Sequence, residues 1–197
     1  PHNYMLGAFV YGRFAGENAA EYCATATYAP IDGAQVEAEY ARMLAPLHRA
    51  DGLPPQQVEY KLRRMVNDYL QPPKITRKMQ IGLDRFQQIH EDLNRLSAAN
   101  PHELMRAMEV HMIRDCAEMA ARASLYRTES RWGLYHHRVD YPERDDANWF
   151  AHVQLMKNEH GVMSCHKRPI APYLIEPDAT EMTAYQKLRI VKQPAIA

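Results

Sequence analysis

Apolar residues recur every three or four positions in three consecutive stretches of the chain, which is the spacing of a helix with one buried face. The first seam consists of Val58, Leu62, Met65 and Tyr69; the second of Met79, Leu83, Phe86, His90, Leu93 and Leu96; the third of Met105, Met108, Met112, Cys116 and Met119. The connections between them are short and contain proline. We therefore expect an antiparallel three-helix bundle, similar to a spectrin repeat.

Two of these helices carry capping signals at their starts. Thr76 precedes the second seam, and Asn100 followed by Pro101 precedes the third. Threonine and asparagine side chains accept hydrogen bonds from the free N–H groups of a first helical turn, and proline is favoured just inside a helix. We therefore expect Thr76 and Asn100 to be the N-caps.

An apolar, small-residue stretch at residues 4–25 predicts an earlier helix that is buried at its start, and residues 34–47 predict an exposed one. Gly7, Gly12 and Gly16 lie inside the first of these, where each glycine costs about 1 kcal/mol relative to alanine. Another structural element packed tightly against this backbone would explain them. A cofactor near the amino-terminal end, such as a reduced flavin held by free N–H groups, is the other interpretation.

Residues 125–146 have no helical period and are dense in arginine, tyrosine, histidine and acidic residues. One interpretation is a network of charge-assisted hydrogen bonds that fixes irregular backbone. Its candidate members are Arg122, Arg127, Glu129, Arg131, Arg138, Asp140, Glu143, Arg144, Asp145 and Asp146. The alternative is an anion or substrate site built on Arg131 and a histidine. Weak alternation after this segment predicts a hairpin over 149–170, and residues 178–188 predict a last short helix.

Composition narrows the function classes. Basic and acidic residues number 24 each among 197 residues, so no net positive field attracts nucleic acid. Three isolated cysteines fit a reducing compartment, and we expect a cytoplasmic protein. No apolar run approaches the roughly 18 residues of a membrane span, and no signal peptide is evident. None of the ten histidines has zinc-site spacing, so no metal site is expected.

Two stretches of the sequence carry a family resemblance. Residues 2–22, HNYMLGAFVYGRFAGENAAEY, resemble the final FAD-binding helix of the fumarate reductase and succinate dehydrogenase flavoproteins, whose pattern is NSLLDxxxxGRxAG. Residues 126–152, YRTESRWGLYHHRVDYPERDDANWFAH, resemble the long carboxy-terminal signature of that family, ESRGxHxRxDYPxRDDxxWxxH. Trp132 stands where the signature has glycine, and Tyr135-His136-His137-Arg138 replaces its simpler alternation. These departures are closer to the adenylylsulfate reductase alpha branch.

The resemblance implies a mainly α fold in three parts. Residues 1–30 would be the last helix of an FAD-binding domain, residues 31–125 a helical bundle domain, and residues 126–197 an irregular segment with a β-hairpin and a tail. By motif match, Asn3, Tyr4 and Met5 fall where backbone and side chains meet the flavin ring. The catalytic groups of the family precede this segment, so none is expected in this chain.

The resemblance also implies a function for the parent protein. That protein would be an FAD-dependent oxidoreductase subunit that passes electrons between the flavin, a small acidic substrate and an iron–sulfur partner subunit. Adenylylsulfate or sulfite is the alternative substrate class, and a non-enzymatic helical module that docks a partner protein is the competing function.

The start of the chain at Pro1, without methionine, suggests a piece of a longer protein. We expect it to contact the FAD-binding and capping domains of the same subunit, and to bind no FAD and reduce no substrate alone. Membrane association would come only through a partner subunit.

Overall fold

The structure, a computed structural model, describes residues 4–170 and is mainly helical with one two-stranded sheet, as predicted. The α-helices are α1 (Tyr4–Thr25), α2 (Gly33–Leu44), α3 (Pro55–Tyr69), α4 (Thr76–Leu93), α5 (Pro101–Tyr126) and α6 (Asp146–Trp149). The strands are β1 (Ala151–Lys157) and β2 (Met163–Pro169), and short 3-10 turns span Ala45–His48 and Gly133–Tyr135. The helix predicted at 178–188 lies outside the described residues.

The chain divides between Arg42 and Met43 into two compact units. The three-part division into 1–30, 31–125 and 126–197 stays a prediction. Within the described part of the chain, no helix is both long enough and apolar enough to cross a membrane.

The first unit contains α1 and most of α2. The side chains of Met5, Phe9 and Tyr11 are each 74% exposed, so the prediction that α1 is buried at its start is wrong for this chain. Apolar residues lie on all sides of this helix, so its burial would need cover from several directions. A Cβ atom added at Gly12 or Gly16 would meet no atom within 4 Å, so no described residue packs closely there. Helix α2 contains no buried residue, and the predicted exposure of residues 34–47 holds as far as Met43. Leu44 is partly buried, and Pro46 in the 3-10 turn that follows is buried.

Helices α3, α4 and α5 pack against one another and form the core of the second unit. The buried residues of the first two are Pro55, Val58, Leu62 and Met65 on α3 and Met79, Gly82, Phe86, Ile89 and Leu93 on α4. A Cβ atom at Gly82 would lie 2.8 Å from Leu70 Cδ2, so glycine allows the end of α3 to approach α4 closely. The predicted bundle is confirmed, but His90 is exposed and Ile89 takes its place. The next buried residue after Phe86 is three positions along the helix rather than four, so the polar imidazole of His90 stays in solvent.

The prediction for α5 is wrong in its orientation about the helix axis. Met105 and Met112 are 52% and 67% exposed, and Cys116 and Met119 are exposed as well, while only Met108 packs partly against the core. The buried residues of α5 are instead Ala107, Val110, Glu118 and Ala121. Helix α5 has apolar residues on two faces, and the face with smaller side chains packs in the bundle because small residues allow helices to approach closely.

The two predicted helix caps have different outcomes. Asn100 caps α5 as predicted, because its Oδ1 accepts a hydrogen bond from Glu103 N at 3.0 Å. The Glu103 carboxylate in turn accepts from the backbone N–H of Ala99, the residue before the cap, at 2.9 Å. Thr76 is not the cap of α4 but its first residue, and the prediction is wrong. The Asp140 carboxylate, 64 residues away, accepts from Thr76 N at 3.0 Å and replaces a local cap.

The predicted hairpin is confirmed. Strands β1 and β2 pair antiparallel from Ala151 opposite Pro169 to Lys157 opposite Met163. The turn contains Gly161 with φ 76°, a left-handed conformation that favours glycine. The side chain of Asn158 accepts a hydrogen bond from Val162 N at 2.8 Å and closes this turn.

Candidate functional site

The irregular segment between α5 and the hairpin is organised around a carboxylate that is completely buried. Glu129 has no exposed surface, and both of its oxygens accept hydrogen bonds. Arg127 Nη1 lies 2.5 Å from Oε1 of this carboxylate, and Arg131 contacts both oxygens, with Nε 2.6 Å from Oε1 and Nη2 2.9 Å from Oε2. The backbone N–H of Asp145 donates to Oε2 at 2.8 Å. Burial of this carboxylate is therefore compensated by two guanidinium groups and a backbone amide.

The same network extends to a second carboxylate and to the first strand. Arg131 Nη2 lies 2.6 Å from Asp146 Oδ1, which also accepts from Arg144 Nε at 2.8 Å. Burial opposes ionisation of Asp146, but the hydrogen bonds from Arg144 and Arg131 outweigh it and lower the pKa of this carboxyl group. Arg127 donates to the backbone carbonyls of Trp149 at 3.0 Å and Ala151 at 2.5 Å. The network thus connects the irregular segment to the start of β1.

A second cluster surrounds Arg138, which is also completely buried. Its Nε and Nη2 each lie 3.0 Å from an oxygen of Asp140, and Nη2 also donates to Thr76 Oγ1 at 2.7 Å. Its Nη1 donates to the backbone carbonyls of Ser124 at 2.9 Å and Arg127 at 2.8 Å. The hydrogen bonds from Arg138, followed by those from Thr76, hold the pKa of Asp140 well below its usual range. One guanidinium therefore joins the start of α4, the end of α5 and the irregular segment.

Backbone hydrogen bonds extend this junction. Lys74 N donates to His137 O at 2.8 Å, and Val139 N donates to Lys74 O at 2.9 Å. The Lys74 ammonium donates to Ser124 Oγ at 2.7 Å. Burial, and then the charge of Arg138, lower the pKa of Lys74. The connection between α3 and α4 is thus paired with the irregular segment along its backbone.

His136 is the one histidine of the segment that is nearly inaccessible, with 7% of its surface exposed. Burial, and then the charge of Lys74, lower its pKa to about 4, so the imidazole is neutral at pH 7. Its Nε2 has no hydrogen-bond partner among the described residues. Nowhere in residues 4–170 do three or more histidine, cysteine or acidic side chains lie close enough together to hold a metal ion.

The buried imidazole predicts a pH dependence of stability. The unfolded chain, with a histidine pKa of about 6.5, binds more protons than the folded chain between that value and about 4, so folding weakens as pH falls through this window. We expect a loss of about 1–3 kcal/mol over the window, measured by urea unfolding at a series of pH values. His136→Gln should remove this slope of the free energy of unfolding against pH.

His152→Gln, which replaces an exposed histidine, should leave the slope unchanged. Equal slopes in the His136→Gln variant and the unsubstituted chain would show that another group titrates. Paired Asp140 and Asp146, whose pKa values are lowered, should produce a further loss only at lower pH.

The network interpretation is confirmed for most of its predicted members, and the anion site on Arg131 is not supported. Two members were predicted wrongly: Arg122 pairs with Glu118 of its own helix, and Glu143 takes part only through its backbone carbonyl, which accepts from Ser130 N at 3.0 Å. The Arg131 side chain is 8% exposed, and its guanidinium is held by Glu129 and Asp146. Asp145 joins the network only through its backbone N–H, while its carboxylate caps α6 by accepting from Asn148 N at 3.1 Å. Thr76 and Lys74 were not predicted to belong here, because no pattern in the sequence relates them to a segment so distant along the chain.

The positions predicted to meet the flavin lie at the start of the chain. Asn3 is outside the described residues, and Tyr4 is the first residue of α1. Met5 follows in the first turn of that helix, and its side chain is exposed. Contact of these residues with a flavin stays a prediction.

The loop that follows Arg131 carries three large exposed side chains and begins at the buried Glu129–Arg131 pair. Trp132 has φ 60° and ψ 36°, a left-handed conformation that is uncommon outside glycine, and Gly133 also has φ 60°. Trp132, Leu134 and Tyr135 are 59%, 79% and 86% exposed. The Arg131 N–H donates to His136 O at 2.9 Å and closes the base of the loop. A left-handed backbone at position 132 agrees with the glycine of the family signature.

Comparison with known proteins gives consistent similarities. The chain is 27% identical over 177 residues to the fumarate reductase flavoprotein subunit of Haemophilus influenzae, covering 85% of this chain and 29% of the relative. It is 29% identical over 111 residues to the succinate dehydrogenase flavoprotein subunit of Coxiella burnetii, covering 54% of this chain and 19% of the relative. The solved adenylylsulfate reductase of Archaeoglobus fulgidus superimposes on 90% of this chain and 31% of its own, with TM-score 0.82 and 27% identity.

The chain thus spans less than a third of the length of these relatives. Residues 59–182, which include all of the bundle except the first turn of α3, both buried clusters and the hairpin, match the family described as the fumarate reductase flavoprotein C-terminus. This match covers more than half of the chain. The chain therefore belongs to the fumarate reductase flavoprotein C-terminal family.

Proposed function

We propose that this chain is the carboxy-terminal part of an FAD-dependent oxidoreductase subunit. The whole subunit transfers electrons between the flavin, a small acidic substrate and an iron–sulfur partner subunit. The observation that carries the proposal is the match of residues 59–182 to the flavoprotein family, together with coverage of only 29% of a fumarate reductase flavoprotein subunit. The remaining parts of such a subunit supply the other catalytic and cofactor-binding groups. A cytoplasmic location, with any membrane association through a partner subunit, belongs to the same proposal.

The chemistry of the described residues supports a scaffolding role for this part. Glu129, Arg131, Arg138 and Asp140 are engaged with one another or with neighbouring backbone, and none of them is available as an acid, base or nucleophile. The clusters instead hold irregular backbone in one arrangement. We infer that they orient this part of the chain against the flavin-binding part of the subunit.

Helix α1 supports the proposed position beside the flavin. Its exposed apolar side chains, among them Phe9 and Phe14, form more apolar surface than an isolated helix keeps in water. The open space around Gly12 and Gly16 allows close approach of another backbone or a cofactor. Tyr4 and Met5 lie in the first turn of α1, and Asn3 directly precedes them in the sequence. The dipole of α1 favours the negative charge of a reduced flavin ring at this end.

A second candidate substrate class is adenylylsulfate or sulfite. The similarity to adenylylsulfate reductase, with 27% identity, favours it, and so does tryptophan at position 132 instead of glycine. A helical module without enzymatic activity, which docks a partner protein, is the alternative function.

The proposal is tested by flavin content and reduction. The purified 197-residue chain should bind no stoichiometric FAD, whereas a longer natural polypeptide containing it should show flavin absorbance. Bleaching of that absorbance by succinate would identify the dicarboxylate branch, and bleaching by sulfite with AMP the adenylylsulfate branch. A longer polypeptide without flavin would contradict the proposal and favour the non-enzymatic module. Stoichiometric flavin on the 197-residue chain would contradict the proposal that most of the flavin-binding groups lie in the remaining parts of the subunit.

A matched pair of variants tests the placement of α1. Gly12→Leu should leave the folding of the 197-residue chain unchanged, because a side chain at Gly12 meets open space there. In the longer polypeptide Gly12→Leu should lower the flavin content, because the leucine side chain would occupy space that the flavin or the flavin-binding part needs. Glu21→Leu on the more polar half of the helix is the control and should retain flavin. Equal flavin content in the two variants would contradict the placement.

A further inference from the structure

His136 lies at the junction between the irregular segment and the connection from α3 to α4. Its carbonyl accepts a hydrogen bond from Arg131 N at 2.9 Å and closes the loop of residues 132–135. The carbonyl of the next residue, His137, accepts from Lys74 N at 2.8 Å and joins this stretch to the α3–α4 connection. The placement of His136 therefore determines both attachments of residues 132–137.

The His136 ring lies where water does not reach it. The residue is buried, and its Nε2 is inaccessible and has no hydrogen-bond partner among the described residues. In a protonated imidazole both ring nitrogens carry N–H groups. A proton at Nε2 would therefore make a buried donor without an acceptor, which is costly unless the ring moves into solvent.

The charges around the ring also oppose its protonation. Three cations face it: Lys74 from the α3–α4 connection, Arg127 from the end of α5 and Arg138 from the irregular segment. The carboxylates of the two clusters, Glu129 and Asp140, already accept hydrogen bonds from Arg127 and Arg138. An imidazolium at this position would be a fourth positive charge without a carboxylate of its own.

The loop held by this junction has few other contacts. Leu134 and Tyr135 are exposed, and a Cβ atom added at Gly133 would meet no atom within 4 Å. The hydrophobic core of the bundle, in contrast, contains no residue of the stretch 132–137. Segments with few buried contacts can open separately while a core stays folded. Opening of residues 132–137 therefore removes no residue from the core of the bundle.

We propose that His136 is an acid-sensitive latch. When its imidazole takes up a proton from solvent, the ring leaves its buried position and releases residues 132–137, while the bundle and the two buried clusters stay folded. The released stretch carries the exposed side chains of Trp132, Leu134 and Tyr135, so acid changes the surface that this loop presents. The latch involves no flavin and no residue of α1, so it is independent of the function proposed above.

The pH range of the latch follows from the two states of the ring. The pKa of His136 is about 4 in the closed state, chiefly through burial, whereas a hydrated histidine has a pKa of about 6.5. The open state therefore binds more protons between these two values, and opening becomes more favourable as the pH falls from the higher to the lower. Asp140 and Asp146 stay ionised over most of this window, because their pKa values are lowered.

An NMR titration of the 197-residue chain from about pH 7.5 to about pH 4.5 tests the latch. The ratio of open to closed molecules should rise at least about tenfold over this range. We expect the amide signals of Arg131 and Lys74, which donate the two junction bonds, to change together with the His136 ring. The amide of Phe86 in the bundle and the helical circular dichroism should stay constant. This separates the latch from a loss of stability by the whole domain.

A matched pair of variants tests charge as the cause. His136→Lys introduces a positive charge at this position and should open the junction at pH 7, whereas His136→Met, with a side chain of similar length but no charge, should keep it closed at every pH of the titration. His152→Gln, at an exposed histidine, should respond like the unsubstituted chain. Equal spectra of the lysine and methionine variants, or junction amides that do not change in the unsubstituted chain, would overturn the proposal. So would loss of helical circular dichroism at the same midpoint, since the whole domain would then unfold.

Discussion

Replacement of Glu129 by glutamine is expected to lower the free energy of unfolding by about 3–5 kcal/mol, because it leaves two buried guanidinium groups without their shared counter-charge. Arg127 and Arg131 both contact this carboxylate, at 2.5 and 2.6 Å, and both side chains are 8% exposed. Without the carboxylate their like charges face each other in a poorly solvated region. Urea unfolding of the 197-residue chain at pH 7, followed by circular dichroism, measures the effect.

Comparing the stability losses of three variants shows whether the Glu129 network, rather than any change in this segment, is responsible for the effect. Arg131→Ala should cost less than Glu129→Gln, because Glu129 keeps Arg127 and the Asp145 N–H. Glu143→Gln is the matched control, since Glu143 is exposed and its side chain has no described partner in the network. A Glu129→Gln midpoint equal to that of Glu143→Gln would contradict the structural role assigned to the carboxylate.

Phe86→Ala is expected to cost about 3–5 kcal/mol, because the removed ring leaves a cavity that the surrounding helices cannot fill completely. Phe86 is 1% exposed at the centre of the bundle, and the guanidinium of Arg114 lies 5.8 Å from the centre of its ring. This loss is a large fraction of the stability of an ordinary domain. Thermal and urea unfolding should both report it.

Met112→Ala is the control for this substitution. Its side chain was predicted from the sequence to be part of the same bundle core, but it is 67% exposed. It should therefore change stability by less than about 0.5 kcal/mol, as is usual for surface positions. If Met112→Ala were as costly as Phe86→Ala, the methionine face rather than the alanine and valine face of α5 would be the buried one.

The two buried clusters explain how a segment without regular secondary structure is held in one arrangement. Arg138 uses all of its donor groups on partners from α4, α5 and the segment itself. Glu129 similarly joins the segment to the start of β1 through Arg127. Irregular backbone lacks the repeating hydrogen bonds of helices and strands, so these side chains supply the fixed geometry instead.

The sequence by itself determined the family, the number of helices in the bundle and the hairpin. The signature in residues 126–152 is long enough to identify the family from residue types alone, and residues 59–182 match it. Helix starts were predictable where the cap is local, as at Asn100, whose partner Glu103 is three residues away. Periodicity identified Val58, Leu62 and Met65 because α3 has a single apolar face.

Only the tertiary structure decided which face of α5 is buried and which residue caps α4. Helix α5 has two apolar faces, so periodicity could not distinguish Ala107 and Val110 from Met105 and Met112; the space available between α3 and α4 selects the smaller side chains. The α4 cap depends on Asp140, 64 residues beyond Thr76, and such a pairing exists only after the segment folds back against the bundle. Local patterns fix local hydrogen bonds, whereas contacts between distant residues follow from how the elements pack.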